Sequence, residues 1–179
     1  MTSFDEIKPG PVTASLVVSK AGLSINELGN SKGLGNSTDL QLLKWFRGRS
    51  QIVLTSGKTA AAEEYRYPSS AELAILSRSD RKYVYLENDL NRVRFLGDQK
   101  SYTSAVEALH SQGFERIHTE FGESGFFELV QSGIADGFVS SADASGITRF
   151  LESAQLTELS RHFFGADLVV CRVSGRGTD

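Results

Sequence analysis

Short, β-branched apolar runs alternate along this chain with segments whose apolar residues recur every three or four positions, which predicts strands and helices in turn. Val12 to Val18 (Val-Thr-Ala-Ser-Leu-Val-Val) reads as the first strand. Residues 19–36 are rich in Gly, Ser and Asn and read as a long loop, a feature that in compact domains usually carries function. Ser37 or Thr38 then caps a helix with an apolar stripe of Leu40, Leu43 and Phe46, Leu42 and Trp45 beside it, and Gly48 as its stop. Gln51 to Thr55 is the next strand, followed by Ser56-Gly57-Lys58-Thr59 and an Ala-rich helix to Glu64. Glu72 to Leu76 is a strand ending in Ser77-Arg78-Ser79, and Lys82 to Glu87 and Arg92 to Leu96 read as two more. A helix from Tyr102 to Gln112 gathers Ala105, Val106 and Leu109 on one face and stops at Gly113. Glu115 to Thr119 is a strand, Glu123 to Ser132 a short helix ending at Gly133, and Ala135 to Ser140 a further strand. Residues 141–150 read as loop, and Glu158 to Val173 as one or two late strands broken at Gly165-Ala166.

This order predicts an α/β fold: a mainly parallel twisted sheet with helices on both faces and antiparallel C-terminal edge strands. Residues 1–10 form a polar lead-in, and residues 11–179 a single domain. Ligands of such sheets bind at the carboxyl ends of the strands, so the loops after Val18, Thr55, Leu76 and Thr119 are the places to search.

Composition narrows the chemistry. Among 179 residues the formal net charge is −3, against the basic field that nucleic-acid binding wants. The apolar share of 40% and charged share of 23% suit a folded globular chain. Cys171 is the only cysteine, which excludes an internal disulfide and a Cys-rich zinc site. His110, His118 and His162 show no metal-ligand spacing, so no metal is expected. No apolar run approaches a membrane span, and the first residues lack the basic start and apolar stretch of a signal peptide, so a cytoplasmic location is expected.

Several turns carry candidate chemistry. Gly57-Lys58-Thr59 looks like the end of a P-loop, but the glycine required five positions earlier is Ile52. A phosphate at a strand-to-helix turn remains, against a plain turn as the alternative. His118-Thr119-Glu120 matches the His-x-Glu of zinc deaminases, yet the required later cysteine pair is missing, so His118 reads as an ordinary strand end. Phe121-Gly122-Glu123-Ser124 lies between a strand and a helix, where Gly122 allows close approach of backbone to a ligand. Ser77-Arg78-Ser79 offers two hydroxyls and a guanidinium to a phosphate, or is simply a solvated turn.

Five segments follow one another in order: Val12 to Ser19; Gly29 to Leu34 with Asp39 and Leu43 to Arg47; Ile52 to Thr59 with Ala62-Glu63-Glu64-Tyr65-Arg66; Ala71 to Ser79; and Thr119 to Gly122 with Leu129 and Gly133 to Asp136. Together they resemble the reductase (C-terminal) domain of bifunctional riboflavin-biosynthesis proteins, a group within the dihydrofolate reductase superfamily. The resemblance implies an NADPH-dependent reductase that transfers hydride to a small heterocyclic or imine-like substrate, the family's own being a ribosylamino-pyrimidine. It implies cofactor contacts along Thr55, Ser56, Gly57 and Thr59, along Ser77, Arg78 and Ser79, and along Phe121, Gly122, Glu123 and Ser124. The Ser-Arg-Ser turn would meet the 2′-phosphate. Asp39 and Glu120 would orient the substrate, with Ser15, Ser19 and Ser31 lining the pocket. No catalytic proton donor is assigned. The resemblance also implies a homodimer.

There are four departures from the family pattern, and two of them, Ala21 and Phe121, motivate an alternative, a non-catalytic reductase-fold protein that binds a nucleotide or a partner. Ala21 stands where the family has a carboxylate, Phe121 replaces the first glycine of the Glu-Gly-Gly turn, Ser56 and Lys58 replace frequent glycines, and residues 141–146 lack the usual proline.

Overall fold

The computed structural model describes residues 3–78 and 82–175. Its strands are β1 (Val12–Val17), β2 (Ile52–Ser56), β3 (Glu72–Leu76), β4 (Arg94–Phe95), β5 (Ile117–Thr119), β6 (Asp136–Ser141), β7 (Leu156–Phe164) and β8 (Leu168–Gly175). The helices are α1 (Ser37–Arg49), α2 (Gly57–Ala62), α3 (Tyr102–Ser111), α4 (Glu123–Gln131) and α5 (Ala144–Ala154). The strands form one sheet in the order β4-β3-β2-β5-β1-β6-β8-β7. β1 to β6 pair in parallel, and the β7–β8 hairpin adds antiparallel to β6. This is the expected mixed sheet of a dihydrofolate reductase-like fold.

Alternation along each strand sends side chains to opposite faces. Val12, Ala14 and Leu16 of β1, Ile52 and Leu54 of β2 and Val139 of β6 pack with α3, α4 and α5. Leu42 and Phe46 of α1 cover the other face with Phe138, Leu168 and Val170, and Ala60 of α2 packs there with Val53, Leu73 and Ile75. Full burial of each large side chain contributes about 1.5–3 kcal/mol. Phe4 and Ile7 also join the α1 side of this core, so part of the first ten residues is packed rather than a polar lead-in.

Four expectations about elements change. Residues 82–87 are not a strand: 84–86 form a 3₁₀ turn, and a second covers 90–92. Tyr83 and Leu86, three apart, are buried while Val84 and Tyr85 are exposed, the pattern of a turn with three residues per revolution. Residues 141–150 are not loop, because α5 begins at Ala144, capped by the Asp143 carboxylate, which accepts from the Ser145 N–H at 2.8 Å. Ile147, Phe150 and Leu151 give it a buried stripe. The cap of α1 is Asn36, whose side chain accepts from the N–H groups of Thr38 and Asp39. Its core stripe is Leu42 and Phe46, and Leu40 is half-exposed.

Candidate active site

The chain leaves β1 and β2 toward helices on one face and leaves the intervening β5 toward α4 on the other, and parallel sheets open a crevice where connections diverge in this way. A cleft of about 1060 Å³ lies there. The long loop after β1 forms one wall and is pinned at both ends. The Asn26 amide donates to Asn30 Oδ1 at 2.7 Å and to the Lys32 carbonyl at 2.9 Å, which rigidifies the turn. The Ser24 hydroxyl donates to Glu123 Oε1 at 2.5 Å, and the Ser31 N–H donates to Glu63 Oε1 at 2.6 Å.

The turns between strands and helices supply the opposite wall. Ser56, the last residue of β2, caps α2 by accepting from the Thr59 N–H at 3.0 Å. Gly57 is needed beside it: a Cβ there would stand 2.5 Å from Ser77 Oγ and 2.7 Å from the Tyr83 hydroxyl. After β5, Phe121 packs its ring 4.5 Å from that of Tyr102 and is only 4% exposed. A Cβ at Gly125 would press on the Phe121 side chain at 2.5 Å, so the small residue in α4 is what admits the phenylalanine. The bulk is thereby absorbed by the α3–α4 side of the core, and the cleft stays open beside it.

At the other end, a polar cluster is built into the α1 side of the sheet. Arg47 donates from Nε to Glu120 Oε1 at 2.6 Å and from Nη2 to Oε2 at 2.7 Å, a bidentate pair. The Tyr65 hydroxyl also donates to Glu120 Oε2 and accepts from Arg47 Nη2 at 2.9 Å. Burial opposes the Arg47 charge, but the bonds to Glu120 more than offset this and hold its pKa above the ordinary value. His118 is fully buried and stacks on Phe46 with ring centroids 5.0 Å apart. Burial, reinforced by the neighbouring Arg47 charge, pushes its imidazole down to about 3. Asp39, in the first turn of α1, accepts from the Ser140 hydroxyl at 2.5 Å. Burial raises its carboxyl above the usual range, and the Ser140 bond opposes that rise.

Most residues singled out from the sequence meet here. Ser15, Ser31, Asp39 and Glu120 line the cleft, as do Ser56, Gly57, Thr59, Ser77, Arg78 and Phe121 to Ser124. Ser19 does not: its hydroxyl accepts from the Leu23 N–H at 3.2 Å, within the turn after β1. Thr55 lies wholly buried beneath the cleft and donates to the Glu120 carbonyl at 2.7 Å, so it supports the β5 turn rather than contacting a ligand. Ser79 lies outside the described residues. Sequence reading missed the parts played by Arg47, Tyr65 and Ser140, and took His118 for an ordinary strand end. One signal was present: Thr13 and His118 are polar residues inside runs that the sheet buries completely, and buried polar groups need partners. Among the described residues, no three His, Cys, Asp or Glu side chains converge on a metal site, and no helix is long and apolar enough to cross a membrane.

No protein-family model matches the chain, and neither does any curated protein sequence. Solved structures do. A pyrimidine reductase-like protein of Corynebacterium diphtheriae superposes with a TM-score of 0.63 at 16% identity, over 93% of this chain and 91% of that one. The riboflavin biosynthesis reductase of Saccharomyces cerevisiae gives 0.66 at 12%, over 93% and 90%. Acinetobacter baumannii RibD gives 0.71 at 15%, and the match covers 94% of this chain but 59% of that longer protein. The element order, the switch from parallel to antiparallel pairing and these superpositions agree: the chain has the dihydrofolate reductase-like fold of the riboflavin-biosynthesis pyrimidine reductases.

Proposed function

We propose that the chain is an NADPH-dependent reductase acting on a small heterocyclic or imine-like substrate. The observation that carries this reading is convergence. The turns after β2, β3 and β5, distant in sequence, border one cleft that also contains Asp39 and Glu120. Its volume, about 1060 Å³, suits a cofactor with a small partner.

Two features bear on whether a dinucleotide fits. A Cβ at Gly122 would meet nothing within 4 Å, so backbone there borders open space. Gly122 begins α4 without a side-chain cap, leaving first-turn N–H groups for a pyrophosphate. Lys58, Arg78 and Lys100 line the cleft at the β2 and β3 turns and before α3, where phosphate charge would need them. The residues present fit the group. Ser56 to Thr59, Ser77, Arg78 and Gly122 to Ser124 would hold it, and Arg78 favours NADPH over NADH. When bound, the cofactor supplies the hydride. The chain's own task is orientation: Arg47 and Tyr65 hold the Glu120 carboxylate in one position, and Ser140 holds that of Asp39. The resemblance that supports this reading also implies a homodimer.

Titration with NADPH, followed by Trp45 fluorescence or by heat, tests the reading. Saturable binding is expected, with NADH weaker. At a hundred times the dissociation constant, NADPH adds ~2.7 kcal/mol and raises the melting temperature by roughly 5–10 °C. No saturation at millimolar NADPH would remove the proposal.

One observation favours the second reading, a non-catalytic nucleotide-binding or interaction protein. Ala21 is exposed in a tight turn closed by the Gly22 N–H on the Ser19 carbonyl at 2.9 Å, and it supplies no carboxylate. The double substitution Ala21→Asp/Phe121→Gly separates the two. NADPH oxidation with pyrimidine substrates that the parent ignores would support the second reading, and a parent already active would exclude it.

A further inference from the structure

His118 sits at the centre of a buried hydrogen-bond chain at the substrate end of the cleft. Its Nδ1 lies 2.7 Å from Thr13 Oγ1 and its Nε2 lies 3.2 Å from Ser15 Oγ. Nε2 is also 3.5 Å from Glu120 Oε1. Phe46, stacked at an interplanar angle of 7°, fixes the plane of the ring. Buried as it is, the imidazole is neutral, so one nitrogen carries a proton and the other a lone pair.

The neighbours decide which. The Glu120 carboxylate, paired with Arg47, offers only lone pairs. A bare Nε2 would direct its own lone pair toward them, whereas Nε2–H is attracted. The proton therefore belongs on Nε2, and Nδ1 must accept, which makes Thr13 its donor. Nε2–H then donates to Ser15 Oγ, and the Ser15 proton is left over. Ser15 Oγ has no other side-chain partner among the described residues, and Ser15 lines the cleft.

We propose that the Thr13–His118 pair fixes the Ser15 hydroxyl as a hydrogen-bond donor into the cleft, so that this end selects a ring bearing an acceptor, a carbonyl oxygen or an unprotonated ring nitrogen. Ser15 is the binding residue and His118 the positioning residue. The inference rests on the reductase reading only for calling this the substrate end. Asp39 complements it. Ser140, its partner, pairs in register with Val17, two residues beyond Ser15 on the same strand face. The Asp39 carboxylate, held by Ser140 of the neighbouring strand, is thus an acceptor farther along the same face of the sheet.

The first test needs no ligand. In ¹⁵N-histidine-labelled protein, His118 is expected as the neutral Nε2–H tautomer throughout pH 5–8. An Nδ1–H tautomer, or an imidazolium at pH 6, overturns the proposal. The second test uses two probes of one ring size, 2-pyridone with an exocyclic carbonyl and aniline with an exocyclic amine, measured by ligand-observed NMR. Wild type is expected to prefer 2-pyridone, and Ser15→Ala to reduce that preference roughly three- to tenfold. His118→Phe keeps the aromatic stack but frees Ser15 to rotate, and is expected to reduce the preference as well. An unchanged preference in Ser15→Ala overturns the proposal even if the His118 variant does not fold. The NADPH-induced melting shift, measured on the same Ser15→Ala protein, reports separately on the reductase reading. It is expected to persist where the probe preference is lost, and its absence in wild type would count against that reading alone.

Discussion

His118 shows how one side chain ties stability to the geometry of the cleft. Its imidazole stays neutral in the native state down to about pH 3, whereas in the unfolded chain it takes up a proton near 6.5. Between these values the unfolded state binds more protons, so stability falls as pH falls. Each pH unit corresponds to about 1.4 kcal/mol, and about 2 kcal/mol is lost between pH 7 and pH 5. Arg47 and Glu120 face the ring, and Glu120 meets the imidazole through Nε2. Asp39, whose carboxyl is raised by burial, contributes with the opposite sign. The comparison with His118→Phe isolates the imidazole: urea midpoints at pH 7 and pH 5 should lie closer together in the variant than in the parent. An equally steep loss in both would place the titration elsewhere.

At the scale of elements, two glycines at the starts of helices behave oppositely. Gly57 begins α2 pressed against Ser77 and Tyr83, so Gly57→Ala must move the turn and is expected to lower the melting temperature. Gly122 begins α4 with φ of −70°, an ordinary value for any residue, and open space around its Cα. Gly122→Ala is therefore expected to fold with nearly unchanged stability while weakening NADPH binding, because the added methyl enters the space a pyrophosphate would occupy. Calorimetric titration beside thermal melting measures both, and unaltered affinity in Gly122→Ala would move the cofactor away from α4. Legibility at this scale followed periodicity in the sheet and in two of the helices. The central strands and α3 and α4 were readable because their apolar runs are long or regular. The α5 helix was not read although Ile147, Phe150 and Leu151 recur at helical spacing, because its start rests on the Asp143 cap inside a segment of Ser, Ala, Asp and Gly that has the composition of a loop. The short segment at 82–87 has the composition of a strand, yet only Tyr83 and Leu86 find apolar neighbours.

At the scale of the whole molecule, the crevice exists because neighbouring parallel strands send their connections to opposite faces. Residues near positions 15, 39, 57, 77 and 122 then become neighbours of a single cavity. The predicted NADPH stabilisation belongs to this scale, since a dinucleotide would touch three connections at once and link their unfolding.

The local pattern of the chain determined the order of strands and helices, the mixed sheet and most turns that reach the cleft. Strand propensity, helix periodicity and glycine-bounded turns act over a few residues, and a linear sequence displays them directly. Tertiary structure alone decided that Thr55 props the cleft from below, that Phe121 is absorbed against Gly125, and that Arg47, Tyr65 and His118 gather around Glu120. Those outcomes depend on which atoms meet across the fold: buried polar atoms at hydrogen-bond distance, and a ring seated where Gly125 leaves room. A pairing across 105 positions, that of Thr13 with His118, leaves no periodic trace in the chain.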